Sequence, residues 1–465
     1  MAGIFKAYDI RGIVEQALTP EIAYLIGRGL AEEVFPPRTS SEGPVVVSRD
    51  MRTHSPELAQ ALVRGLREGG CDVLDIGLAA TPMNYWANMH YGARGSVTVT
   101  ASHNGPQYNG FKVSGPGATP MDHASGLSHV EHYVARGLKL QQDPPAAARV
   151  GECTVVEDAL SKYLDWMDGF VQFGSGERSL KIGVDAANGM GGFFLGEFFA
   201  RHAEIEAVPL FWELDGTFPN HEADPLKAEN LVPAQELVRA HNCDIGVSFD
   251  GDADRCMFID ENGDTISSDL ITALIAGDML ERHPGKSILY DLRSSHVVPE
   301  WIKEHGGVPV RGRVGHSFMK RLLKEREAPF GGELSGHYYF AECFYTDSGL
   351  MAMIQVINIC RKSGQTLSQL IAPLRRYCAT GEINFYVADA PSVLREIEAH
   401  YRAQGATIDH LDGLTVEMPG WWFNLRSSNT EPLLRLNLEA SDEAERDAHL
   451  AEVTGLIGAP AVTGH

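Results

Sequence analysis

Cysteine is scarce and unpatterned in this chain of 465 residues. The seven thiols, at 71, 153, 243, 256, 343, 360 and 378, are odd in number and include no C-x-x-C pair. That excludes a disulfide framework or a cysteine zinc site as the organising device, and it fits reduced thiols in a cytoplasm. Positive charge is short as well, with 39 Lys+Arg against 62 Asp+Glu and a formal net charge of −23. Nucleic acid and anionic membranes call for a basic footprint, so neither is an expected partner. A few convergent arginines still suffice for a small anionic ligand. Long apolar runs are missing: none approaches the roughly 18 residues of a membrane span. The opening MAGIFKAYDIRG lacks the basic start and apolar segment of a secretory signal. No low-complexity tract and no strict internal repeat stands out. The expectation is a soluble cytoplasmic protein.

What is present is a 44% hydrophobic content, ample for sizeable cores, and a rhythm of strand and helix signals. PVVVSRD (44–50) reads as a short strand. Pro56 to Gly70 has helical apolar spacing through Leu58, Leu62 and Leu66, and CDVLDIG (71–77), TPMNYWANMHYG and SVTVTAS continue the alternation. Such order predicts βαβ units and a mainly parallel sheet, with ligands beyond the carboxyl ends of strands. The pattern restarts after DPPAAARVGE (143–152), at SLKIGVDAANGMGG and CDIGVSFDGDADR, and again at KSILYDLRSSH and GVPVRGRVGHSF. After about residue 380 the chain reads as a smaller α+β unit. The expected division is 1–148, 149–258 and 259–376 as α/β domains with mixed, mainly parallel sheets, and 377–465 as an α+β domain.

The most specific chemistry lies in FDGDADR (249–255), where Asp250, Asp252 and Asp254 alternate directly after an apolar strand. Like charges so close oppose one another's ionisation unless a cation sits among them, and hard oxygen ligands favour Mg²⁺ or Ca²⁺. A solvated acidic turn is the plain alternative. With Glu261 the spacing matches an EF-hand, but Arg255 stands where that loop needs glycine and a strand precedes it. An aspartyl phosphatase nucleophile stays open.

VTVTASHNGPQYNGFK (97–112) delivers Ser102 and His103 from a β-branched run into a turn. RSSNTEP (426–432) gathers phosphate-oxygen donors: a forked guanidinium, hydroxyls and an amide. GGELSGH (331–337) places Glu333, Ser335 and His337 at alternate positions, which an extended strand would point one way toward vicinal sugar hydroxyls, with His337 as a possible acid or base. KAYDIRG (6–12), Lys112, Arg293 and the GHS triplet at 315–317 add dispersed polar groups.

Together, and in this order, KAYDIRG, TASHN-x-x-x-YNGFK, DGDADR, GHS, GE-x-SGH and R-x-SNT-x-P resemble the α-D-phosphohexomutase superfamily, in its phosphomannomutase/phosphoglucomutase branch, over nearly the whole chain. The resemblance implies four domains around a central cleft. It implies interconversion of hexose 6-phosphate and hexose 1-phosphate through a phosphoserine and a hexose 1,6-bisphosphate. Ser102 matches the phosphoserine. Asp250, Asp252 and Asp254 match the ligands of one Mg²⁺ that also touches it. Arg426, Ser428, Asn429 and Thr430 match the grip on the phosphate not being transferred, and Glu333, Ser335 and His337 match the sugar loop. Arg11, His103, Lys112, Arg255 and His316 match further cleft positions, with Lys112 and His337 as acid/base candidates. Partners are then a small phosphosugar and, for a monomer or homodimer, at most a second copy.

Three positions depart from the pattern. Gly105 replaces a proline after TASHN and loosens the serine loop; Arg293 stands where lysine is common; Leu334 replaces methionine, conserving volume. The rival readings are phosphoglucosamine mutase and a metal-dependent sugar phosphatase in which water replaces the second hydroxyl.

Overall fold

The computed structural model describes residues 3–36, 43–140, 146–174, 179–427 and 433–462. Among these the chain forms four sheets. The first runs in the order Ile10–Ile13, Tyr108–Ser114, Gly95–Val99, Val45–Arg49, Val73–Leu78, Cys153–Val155. Its middle strand Val45–Arg49 pairs in parallel on both sides and is buried along almost its whole length, which is why VVV reads as a continuous apolar run rather than an alternation. The helix Ser55–Glu68 takes Pro56 in its first turn and buries Leu58, Leu62 and Leu66 on one face.

A shared plan places the functional loops. In each of the first three sheets the strands are parallel on one side and end in an antiparallel pair on the other. Gly95–Val99 pairs antiparallel with Tyr108–Ser114. In the second sheet Ile245–Phe249 is parallel to Leu180–Asp185 but antiparallel to Cys256–Ile259. In the third, Phe330–Gly332 is parallel to Ser287–Asp291 but antiparallel to Tyr338–Phe340. The three switch connections are the Ser102 loop, the acidic loop and the GELSGH loop. A short link between antiparallel strands holds both its ends on sheet backbone, so its side chains are carried by rigid neighbours.

The fourth sheet is antiparallel throughout, in the order Thr407–Asp409, Leu414–Met418, Trp421–Ser427, Leu433–Ala440, Cys378–Tyr386, Ala461–Val462. Helices Ala390–Ala403 and Glu443–Ile457 complete that unit.

The cores differ in reach. One continuous cluster unites the first three units, with Val46 and Trp86 from the first, Phe194 and Phe249 from the second, and Ile275, Tyr338 and Met353 from the third. The other face of the first sheet packs Leu25, Leu62 and Phe111. The fourth unit has a core of its own around Phe385, Tyr401, Phe423 and Leu436. Each such side chain contributes about 1.5–3 kcal/mol of hydrophobic burial. Among the described residues no helix is long and apolar enough to cross a membrane.

Candidate active site

The strand ends at Val99, and the backbone turns sharply at residues that stay buried, Thr100 at 2% and Ser102 at 4% exposure. Ser102 sits in the left-handed region at φ 52, and its N–H donates to Thr100 Oγ1 at 2.9 Å. Its hydroxyl donates to Asp250 Oδ2 at 3.1 Å and lies 3.3 Å from His103 Nδ1. The acidic loop presses directly against this turn: a Cβ at Gly251 would lie 2.4 Å from the Ser102 carbonyl oxygen, so only glycine fits there.

Asp250, Asp252 and Asp254 are not a solvated turn; all three are buried. One oxygen from each lies within 4.8 Å of the others. The cationic neighbours arrive from a distance in sequence or from the loop's end. Lys112 donates to Asp252 Oδ2 at 2.6 Å and Asp254 Oδ2 at 2.5 Å, and Arg255 Nε donates to Asp250 Oδ2 at 3.0 Å. Thr81, at the start of helix Thr81–His90, donates its hydroxyl to Asp252 Oδ2 at 2.5 Å. Asp252 Oδ1 and Asp254 Oδ1 are left buried with no hydrogen-bond partner. Two orphaned carboxylate oxygens in a triplet of hard donors are what a divalent cation would satisfy, so the residues present fit one. Burial and the two neighbouring carboxylates push Asp250 well up. Burial works the same way on Asp254, but Lys112 and Arg255 outweigh it and hold that carboxyl down at about 2. Burial would lower Lys112, yet Asp252 and Asp254 hold it well above its ordinary value. Lys112 is therefore an ammonium.

The GELSGH loop is not extended. Glu333 N–H donates to the His337 carbonyl at 2.9 Å and Gly336 N–H to the Glu333 carbonyl at 3.0 Å, closing a turn that Gly336 permits at φ 82. The turn, rather than strand alternation, brings the three side chains together: Ser335 Oγ is 3.0 Å from His337 Nδ1, and Glu333 Oε2 is 3.5 Å from it. Glu333 accepts from Gly315 N–H at 2.8 Å and from the Tyr339 hydroxyl. Burial, with Asp291 beside it and Arg293 opposing, pushes the Glu333 carboxyl up to about 7. His337 Nε2 lies 3.6 Å from Asp254 Oδ1, which ties this loop to the acidic one. Burial, then Arg255, keeps His337 well below its ordinary value; burial and Lys320 do the same to His316, and burial and Arg255 to His103. All three imidazoles are neutral at pH 7.

Arg11 donates to the Asn104 and Asp9 side chains, which fixes the strand Ile10–Ile13 to the serine loop. Beyond His316 and His337 a cavity of about 410 Å³ opens, lined also by Tyr8, Arg293, Arg313, Glu333, Ser335, Arg426 and Arg435. Arg426 and Arg435 are directly opposite across two strands of the fourth sheet, and both reach Glu382 at 3.3 Å. Arg293 approaches the same carboxylate at 3.8 Å. Burial, with Arg293 next, lowers Arg426. Three guanidinium groups crowded at one end of a polar cavity make a seat for a dianion. Ser428, Asn429 and Thr430 lie outside the described residues.

The site thus assembles Ser102, His103, Arg11, Lys112, Arg255, the three aspartates, His316, Glu333, Ser335, His337 and Arg426 along one continuous path. Sequence reasoning passed over Arg52, Thr81, Glu382 and Arg435. The alternation in LLRLNL marks Arg435 as facing the same way as Arg426, a usable signal; nothing local marks Thr81.

Comparison with known proteins follows the same four-part layout. The phosphoglucomutase/phosphomannomutase family models match in order: α/β/α domain I over residues 2–138, domain II over 161–263, domain III over 267–377, and the C-terminal domain over 382–455. A phosphohexose mutase of Xanthomonas campestris pv. campestris is 38% identical over 457 residues, covering 97% of this chain and 98% of its own. A phosphomannomutase of Escherichia coli is 36% identical over 459 residues, with 97% and 98% coverage. The crystal structure of a phosphoglucomutase/phosphomannomutase family protein from Burkholderia thailandensis superposes with a TM-score of 0.86 at 32% identity, covering 98% of each chain.

Proposed function

Since the chain belongs to the phosphoglucomutase/phosphomannomutase family, we propose that it is a phosphohexomutase interconverting hexose 6-phosphate and hexose 1-phosphate, with mannose, glucose or both as the sugar. The observation that carries the proposal is the Ser102 hydroxyl, 3.1 Å from Asp250 in an acidic triplet that His337, 3.6 Å from Asp254, joins to the arginine-lined cavity. Its resting form carries phosphate on Ser102. Family membership and the two orphaned oxygens favour a metal-dependent site, with Asp250, Asp252, Asp254 and an oxygen of Ser102 holding Mg²⁺. When bound, that ion stabilises negative charge on phosphoryl oxygens.

The chain's own groups supply the rest. Arg293, Arg426 and Arg435 grip the phosphate already on the sugar, so the free hydroxyl faces Ser102. Glu333 and Ser335 hold ring hydroxyls. The neutral His337 accepts the proton of the attacking hydroxyl as the bond from Ser102 oxygen to phosphorus breaks and the bond to the sugar oxygen forms. Lys112 and Arg255 stay cationic and neutralise charge on the transferring group, which is most of what phosphoryl transfer asks of a protein. The product of this half-reaction is a hexose 1,6-bisphosphate. It turns end for end, and its other phosphoryl group returns to Ser102. The seven unpaired cysteines support a reducing, cytoplasmic setting.

The test is a coupled assay of mannose 1-phosphate and glucose 1-phosphate with catalytic hexose 1,6-bisphosphate. Stoichiometric formation of hexose 6-phosphate supports the mutase. Release of inorganic phosphate in its place is the result of a phosphatase and overturns it.

A further inference from the structure

The serine loop is held by a residue that touches none of the reacting atoms. Arg52 follows the strand Val45–Arg49 and is 1% exposed. Every N–H of its guanidinium is used. Nε donates to Asp50 Oδ2 at 3.1 Å. Nη2 donates to the carbonyls of Ser102 at 2.8 Å and Asn104 at 2.6 Å. Nη1 donates to the carbonyls of Gly105 at 2.8 Å and Tyr108 at 3.1 Å. Four backbone carbonyls of one loop, spread over seven residues, therefore converge on a single planar cation. The Phe218 ring from the second unit covers that cation at 5.0 Å.

From this geometry we infer that Arg52 is the positioning residue for phosphoryl transfer: it fixes the backbone that presents Ser102, and the inference rests on the mutase reading above. Ser102 occupies a left-handed conformation that non-glycine residues seldom adopt, and such a conformation persists only where the surroundings over-determine it. Arg52 supplies that determination by holding the carbonyl of Ser102 itself. The contacts to the loop are all to backbone, so they do not depend on which side chains the loop carries. They also answer the glycine at 105. A loop loosened by Gly105 is retied at the same residue, because the Gly105 carbonyl is one of the four. A lysine cannot take over, since three N–H groups on one nitrogen cannot span carbonyls held by two separate nitrogens of a fork. Tilting of Ser102 relative to Asp250 would slow transfer, whereas the arginines and Glu333 that grip substrate lie on other units.

The experiment uses full-length Arg52→Lys and Phe218→Leu, with circular dichroism and thermal unfolding to confirm folding. The transfer of labelled phosphate from glucose 1,6-bisphosphate to Ser102 is followed by rapid quench, beside steady-state kcat and KM for hexose 1-phosphate. Arg52→Lys is expected to slow Ser102 phosphorylation and kcat by thirtyfold or more, with KM within threefold of wild type. Phe218→Leu, which keeps the fork but wets it, is expected to lose several-fold in kcat alone, and it decides the matter should Arg52→Lys not fold. Labelling and kcat within threefold of wild type in the folded variants, or a change confined to KM, overturn the inference. A wild-type chain that takes no phosphate on Ser102 overturns the mutase reading itself, and this inference with it.

Discussion

Lys112 places its ammonium 2.6 Å from Asp252 Oδ2, joining residues 140 positions apart. With Asp254 on the same nitrogen and Arg255 on Asp250, two cations face three buried carboxyl groups, of which burial pushes Asp250 well up. The acidic loop is thus largely neutralised by the chain before any metal arrives.

Metal removal is expected to end activity without unfolding the protein. EDTA-treated enzyme, verified metal-free, is expected to lose turnover by several orders of magnitude and to regain it with Mg²⁺, while its melting temperature shifts by only a few degrees. Asp252→Asn removes one anionic ligand and weakens metal affinity. A metal-free sample with full turnover would refute the metal site, and titration of Mg²⁺ against activity and thermal unfolding checks both halves.

Ser102→Ala is expected to lower mutase activity by several orders of magnitude and to abolish incorporation of phosphate from hexose 1,6-bisphosphate. Intact mass and peptide mapping of the wild type should find one phosphate, on Ser102. An active preparation carrying phosphate only elsewhere counts against the assignment.

Arg426→Ala is expected to raise KM tens-fold, because a charge-assisted bidentate contact is worth about 2 kcal/mol, and to increase release of the bisphosphate per turnover. Arg426→Lys should recover only part. Arg435→Ala should show the same signs more weakly, since Arg435 is the more exposed of the pair at 33% against 12%. Unchanged KM and unchanged bisphosphate release in both folded variants would dismiss this end of the cavity as the phosphate seat.

Glu333 makes a pH limb. Its carboxyl, pushed up to about 7 by burial and Asp291, accepts hydroxyl donors best when ionised, so kcat/KM should rise as pH rises through about 7. In Glu333→Gln that limb should vanish from the pH–rate profile, and its persistence would assign the titration elsewhere. The stability sign is the reverse. The folded chain holds this proton more tightly than the unfolded one, where the group returns to its ordinary value of 4.5. The stabilisation is full below about 4.5 and is lost as pH rises toward 7.

Much of this site was legible because strand ends punctuate it. Ser102 and the aspartates each follow an apolar run that stops at polar residues, and the parallel-sheet rule places such ends at the ligand. Proximities that no local pattern encodes were not legible. Lys112 meets the aspartates only because two sheets dock at their strand ends. Arg52 sits in SRDMR, which reads as an ordinary polar strand exit; its role depends on four carbonyls some fifty residues away. In the GELSGH loop alternation would point the three side chains one way only in an extended strand, and Gly336, at φ 82, turns the chain so that its turn signal, not the alternation, decides the geometry.

The separate core of the fourth unit has a thermal consequence. Phe385, Tyr401, Phe423 and Leu436 share no cluster with the core that unites the other three units, so the C-terminal sheet has the makings of a cooperative unit of its own. Two calorimetric peaks would then replace one. Arg426 would be lost with the earlier and Ser102 with the later, and gentle heating would leave an enzyme that still accepts phosphate yet has forgotten how to hold its substrate.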